Sequence, residues 1–204
     1  MNKVFFTLLI FYYQPAFPQA RELSKEEFVN EIFSQVTDSS FSKYYLLNQA
    51  EPCSFKKFDY EQLLQYSLKK MVSIDVLNEL AKNASAVFNE SSWSQEKMDK
   101  AVCIDAKMTE SVLDPTGDLK HNSSLTKREK RKAIKLAEKE WQKKPLEEKL
   151  VFCFSKPVFT DDYQYAVIDM ISMNGPISSA GSTYFFKRAG SKWELIGKVF
   201  GWQN

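Results

Sequence analysis

Apolar positions recur with helical spacing along the first two thirds of the chain and with strand spacing near its end. Ser24 and Glu27 form a capping box, in which each side chain takes up the other's backbone N–H, and Phe28, Ile32, Phe33 and Val36 then share one face. Thr37-Asp38-Ser39-Ser40 ends that helix, and the aromatic stretch Phe41–Leu47 fits either helix or strand. Phe58–Met71 repeats the helical pattern, with Leu63, Leu64, Leu68 and Met71 clustered. Ser73 caps a short helix with Ile74, Leu77, Leu80 and Ala81 facing inward and Lys82–Ser85 as its polar exit. Trp93–Lys100 reads as a short helix, Ala101–Asp105 as a strand and Lys107–Leu113 as one or two helical turns. Asp114-Pro115-Thr116-Gly117-Asp118 is a turn, extended by the polar loop Asn122-Ser123-Ser124. Thr126 and Glu129 make a second capping box. The helix it opens, Lys127–Lys143, carries Ile134, Ala137 and Trp141 on one face and is stopped by Pro145.

From Lys149 the period changes to two. Leu150, Phe152 and Phe154 alternate with Val151 and Cys153, until Pro157 limits pairing. Asp161-Asp162 marks a turn, Tyr163–Met173 a second strand, and Asn174-Gly175-Pro176 its end. Ser182–Lys187 and Lys192–Val199 form a hairpin around Ala189-Gly190-Ser191, with Trp202 just past the last strand. Short connections between successive strands give an antiparallel meander, whose apolar face needs a cover that the helices supply. The expected class is α+β, with N-terminal helices packed on a C-terminal antiparallel meander of about four strands.

The first residues stand apart from this scheme. Lys3 precedes a ten-residue apolar run, Val4–Tyr13, and small residues follow at Ala16 and Ala20, so residues 1–20 read as a secretory signal peptide. The run is too short to span a bilayer, and no later stretch is apolar enough to do so. The mature chain, 21–204, is expected to be a single α+β domain, mainly helical over 21–148 and mainly strands over 149–204, secreted or periplasmic. Export makes disulfides permissible. Of Cys53, Cys103 and Cys153, the pair expected to bridge is Cys53–Cys103, which would contribute about 4 kcal/mol by closing a loop of about 50 residues. Three unpaired thiols are the alternative.

Charge adds one local feature. The chain has 28 basic and 26 acidic residues, a net charge of +2, so its overall balance selects no partner class. Between Lys120 and Lys144, however, ten basic residues stand against three acidic ones, a local charge of +7. Lys127, Arg128, Arg131 and Lys135 are the candidate binding residues of that helix, toward another protein or an anionic envelope polymer. A solvated amphipathic face, with Glu140 and Lys144 paired across one turn, is the plainer reading. Export argues against nucleic acid as a partner.

The chemistry of catalysis is thin. A single histidine, His121, excludes His-rich zinc sites, and the cysteine spacings are not those of zinc ligands. There is no G-x-S-x-G elbow and no phosphate-cradling glycine loop. Cys153 lies mid-strand among phenylalanines, where a thiol packs rather than reacts with a partner such as His121. Asp161, Asp162 and Asp169 could supply a hydrolase carboxylate pair, although adjacent aspartates at a turn more often bind local backbone donors. No catalytic residue, metal or cofactor is therefore expected.

Phe154-Ser155-Lys156-Pro157-Val158-Phe159-Thr160-Asp161-Asp162, Tyr165-Ala166-Val167-Ile168, Gly181-Ser182-Thr183-Tyr184 and Gly190-Ser191-Lys192-Trp193 together resemble a family of uncharacterised secreted bacterial proteins. The resemblance extends weakly to Ser73–Ala84 and Trp93–Asp105. It implies the fold and secretion and carries no activity. Ile177-Ser178-Ser179 lacks the cysteines that family members often have before the glycine-serine turn. A bacterial source also discounts the sequons at Asn83, Asn89 and Asn122. The expected function is a non-catalytic macromolecule-binding protein of inhibitor or immunity type in the periplasm. The alternatives are a carboxylate-dependent hydrolase and a cell-envelope binding module that uses the basic helix.

Overall fold

The computed structural model describes residues 24–37, 40–51, 53, 72–86, 92–175 and 177–203. The leader, the Phe58–Met71 pattern and the Asn89 sequon lie outside the described residues. Helix α1 is Lys25–Val36, β1 is Tyr44–Leu47, α2 is Ile74–Ala86, β2 is Ala101–Ile104, α3 is Ala106–Leu113, α4 is Gly117–His121 and α5 is Lys127–Lys143. Strands β3 (Val151–Phe154), β4 (Val158–Phe159), β5 (Tyr165–Met173), β6 (Ser179–Ala189) and β7 (Lys192–Gln203) follow. All belong to one seven-stranded sheet in the order β2-β1-β3-β5-β6-β7, with β4 paired to β5. The class is α+β: the helices are mostly N-terminal and the C-terminal strands form an antiparallel meander. The sheet is larger than that meander because β1 and β2 join it in parallel, β1 lying between β2 and β3.

Strand alternation sorts the core onto the sheet's two faces. Ala166, Ile168 and Met170 of β5 and Phe152 and Phe154 of β3 meet Phe28, Val29, Ile32 and Phe33 of α1. The intervening Val167 meets Leu77, Leu80 and Ala84 of α2, and Val151 meets Leu113 of α3. Thus α1 covers one face, and α2 and α3 cover the other. Phe28 is fully buried, edge-on to Phe159, Phe186 and Trp193 at centroid distances of 5.1, 5.6 and 5.2 Å. Ser24 and Glu27 make the expected capping box at the start of α1.

Polar residues of α1 also reach the edge of the sheet. Trp193 N donates to Glu31 Oε1 at 2.7 Å, Gln35 Nε2 donates to the Trp193 carbonyl at 2.7 Å, and Leu195 N donates to Gln35 Oε1 at 3.0 Å. Three main-chain groups of the terminal strand are thereby satisfied by side chains.

Several local expectations change. Ile74 is 53% exposed, because it opens α2 while Leu77, Leu80 and Ala84 carry the contact. Helix α2 continues through its expected polar exit to Ala86. Trp93–Lys100 contains only the 3₁₀ turn Gln95–Lys97; Trp93 and Met98 flank it as buried anchors. Gly117 begins a short helix, which His121 ends. Trp202 lies within β7 and not past it. The hairpin turn needs its glycine, since Gly190 has φ of +63°.

The expected Cys53–Cys103 bridge is not formed, and all three cysteines are thiols. Cys53 packs with α2 and Val167, whereas Cys103 packs against the cluster under α1, so the sheet separates them. A disulfide needs the two Cα atoms within about 7 Å.

Candidate functional site

Helix α5 is set up by its ends. Thr126 N donates to Glu129 Oε2 at 2.9 Å and Thr126 Oγ1 to the same oxygen at 2.6 Å, while Glu129 N donates to Thr126 Oγ1 at 3.4 Å. These bonds hold the Glu129 carboxyl below its ordinary value. At the other end Lys144 is extended, as a residue before proline prefers. The pairing expected between Glu140 and Lys144 is therefore replaced by Glu140 with Lys143, at 2.7 Å.

The helix is moored along one stripe. Lys130, Ala133, Ile134, Ala137 and Trp141 are half-buried, and no α5 residue is fully buried. Trp141 Nε1 donates to the Val112 carbonyl at 3.1 Å, joining α5 to α3, and the Lys149 ammonium lies 5.2 Å from the Trp141 ring centre. Lys130 Nζ donates to the Lys120 carbonyl at 3.0 Å, joining α5 to the end of α4.

Opposite that stripe lie the cations. At about 100° per residue, Lys127, Arg131, Lys135, Arg128, Lys139 and Lys132 occupy an arc of about 140° on the helix wheel. All six are exposed, and none forms an ion pair with a described carboxylate. The structure thus brings together the four residues singled out from the sequence, Lys127, Arg128, Arg131 and Lys135, and adds Lys132 and Lys139 to them. Leu136, 61% exposed, borders the arc. Such a face attracts anions over roughly a Debye length, about 8 Å at physiological salt.

The acidic candidates are dispersed. Asp162 Oδ1 accepts from Thr160 Oγ1 at 2.6 Å and from Gln164 N at 3.0 Å, which is the turn role. Asp161 Oδ1 accepts from Asn83 Nδ2 at 3.1 Å, tying α2 to the β4–β5 turn. Asp169 accepts from Thr183 Oγ1 at 2.6 Å across β5 and β6. It lines a crevice of about 150 Å³ with Glu51, Cys153, Ser155 and Thr183. That crevice holds an Asp and a Glu, yet it is smaller than the roughly 300–1,000 Å³ of small-molecule sites.

The nucleophile candidates are quiet. Burial, with the Glu51 charge adding to it, pushes the Cys153 thiol up to about 12, so it stays protonated at neutral pH. Burial also raises the Cys103 thiol, and Glu26 raises it further against an opposing Lys156. His121 is exposed at the end of α4. Lys156, from the Ser-Lys-Pro segment, is buried: its Nζ donates to the Ser92 carbonyl at 2.8 Å and lies 3.9 Å from the Trp93 ring centre. These contacts make it a structural cation.

Among the described residues no group of three or more His, Cys, Asp or Glu could hold a metal ion, and no helix is long and apolar enough to cross a membrane. No protein-family model, curated protein or solved structure matches the chain.

Proposed function

We propose that this is an exported, non-catalytic binding protein of inhibitor or immunity type, which engages an acidic face of another protein through α5. The observation that carries this reading is the set of six exposed α5 cations without an ion-pair partner among the described residues, opposite the stripe that moors the helix. A protein partner is favoured over an anionic polymer because Leu136 is exposed beside the cations. A polyanion has no use for an apolar side chain, whereas protein interfaces combine apolar contact with charge. Support for export is the Lys3 and Val4–Tyr13 leader pattern, together with the resemblance to secreted bacterial proteins.

The test compares the wild-type chain with the variant Lys127→Gln, Arg128→Gln, Arg131→Gln and Lys135→Gln. Binding is measured to an immobilised glutamate–leucine copolypeptide and to polyphosphate across a salt series. The reading expects salt-sensitive wild-type binding to the acidic polypeptide, weakened at least tenfold in the variant, and a further loss with Leu136→Ser on the polypeptide alone. Unchanged affinity in the fourfold variant rejects the surface. Preference for polyphosphate, with no effect of Leu136→Ser, replaces the protein partner by an envelope polymer.

A further inference from the structure

A second surface lies on the α1 face of the sheet, and neither the basic helix nor the carboxylates use it. Helix α1 has 12 residues and so is about 18 Å long, whereas the 11 residues of β6 extend about 36 Å. The helix ends at Val36 with Thr37 as its cap, and among the described residues no other helix continues over the part of that face beyond it. There the sheet, Val36, Thr37 and Phe41 enclose a groove of about 580 Å³, within the size range of small-molecule sites. Gly181 and Gly201 help to keep one end of it open, since neither carries a side chain.

The groove is polarised across the strands. Phe41, Phe152 of β3 and Met170 of β5 line one side. Ser182 of β6 stands directly across from Met170, and Tyr184 of β6 directly across from Lys198 of β7. The Lys198 ammonium lies 5.2 Å from the Tyr184 ring centre, as that register allows. Tyr184 is 3% exposed, and the hydroxyls of Tyr184 and Ser182 make no hydrogen bond to a described residue. Two hydroxyl donors and a positive charge therefore gather over β6 and β7, and an apolar floor extends away from them toward β3.

We propose that this groove binds a small amphipathic carboxylate, with its apolar body along Phe152, Phe41 and Met170 and its carboxylate at Ser182, Tyr184 and Lys198. Two inter-strand steps of about 4.8 Å and two residues along the strands place Ser182 about 12 Å from Phe152, close to the extended length of a chain of about ten carbons, with Lys198 beyond it on β7. Hydroxyls and an ammonium donate to a carboxylate, and the positive charge favours it over a neutral head of the same shape.

The experiment titrates the full chain with decanoate and, separately, with decanol below their aggregation concentrations, following heat and the methyl resonances of Met170 and Leu150. Saturable decanoate binding is expected, at least tenfold tighter than decanol, with shifts at both methyls. Ser182→Trp fills the groove and should abolish binding, and Lys198→Met should erase the preference for decanoate. The proposal is overturned by an absence of saturable decanoate binding, by equal affinity for decanol, by shifts that spare Met170 and Leu150, or by full affinity in a folded Ser182→Trp variant. The methyl shifts of the wild-type chain decide the matter if that variant does not fold.

Discussion

Helices α1 and α5 begin with the same device and end in opposite roles. Ser24 with Glu27 and Thr126 with Glu129 form matching capping boxes. Yet α1 buries Phe28, Val29, Ile32 and Phe33, and α5 fully buries nothing. The cap fixes where a helix starts, and the side chains on its inward stripe fix what the helix is for. Two phenylalanines, a valine and an isoleucine make α1 part of the core. Two alanines, an isoleucine, a lysine and a tryptophan moor α5 and leave its cations to solvent.

Truncation should separate the two helices most sharply. Phe28→Ala removes a ring packed against three other aromatics and should destabilise the whole fold by about 3–5 kcal/mol in urea titration. Ile134→Ala in α5, where the side chain is half-buried, should cost about 1 kcal/mol or less. Equal losses would mean that α5 belongs to the core. Cap removal comes next: Ser24→Ala and Thr126→Ala each remove a bond of about 1 kcal/mol. The first should lower the global midpoint, and the second should appear as faster amide exchange in the first turn of α5 with the midpoint nearly unchanged.

The smallest expected effect is one of pH. The hydrogen bond from Lys120 at 2.7 Å, with help from Thr116, holds the Asp114 carboxyl at about 2, against an ordinary 3.8. A folded value below the unfolded one means that the contribution is complete above about pH 5 and is lost as pH falls toward 2. Asp114→Asn should therefore flatten stability against pH between about 5 and 2 and leave the higher range parallel to wild type. A parallel pair of curves across the acid range would show that the bond is absent in solution.

The parts of the fold legible in the sequence are those set by local chemistry. Both capping boxes, the strands of the meander and the stop at Pro145 follow from near neighbours. The parallel pair β1 and β2 was less legible. Tyr44–Leu47 and Ala101–Ile104 are short apolar runs, and their alignment beside β3 depends on residues far away in the chain. Trp93 misled for a related reason: its burial is a tertiary contact with Lys156, not the face of a helix. The four basic residues of α5 were legible because one continuous helix presents them. The groove was not, since its lining comes from the end of α1, Phe41 and four strands, and only the same-face spacing of Ser182 and Tyr184 hints at it.

The side chains of Glu31 and Gln35 on Trp193 and Leu195 bear on how this molecule behaves in a crowd. An uncovered terminal strand offers its main chain as a template for a strand from a neighbour, which is one route to fibrils. Here the start of that template, at Trp193 and Leu195, is already occupied from within, by a helix that the core holds in place. Loosening α1 would thus do more than lower stability, for it would also release a sticky margin and turn a folding defect into an aggregation defect.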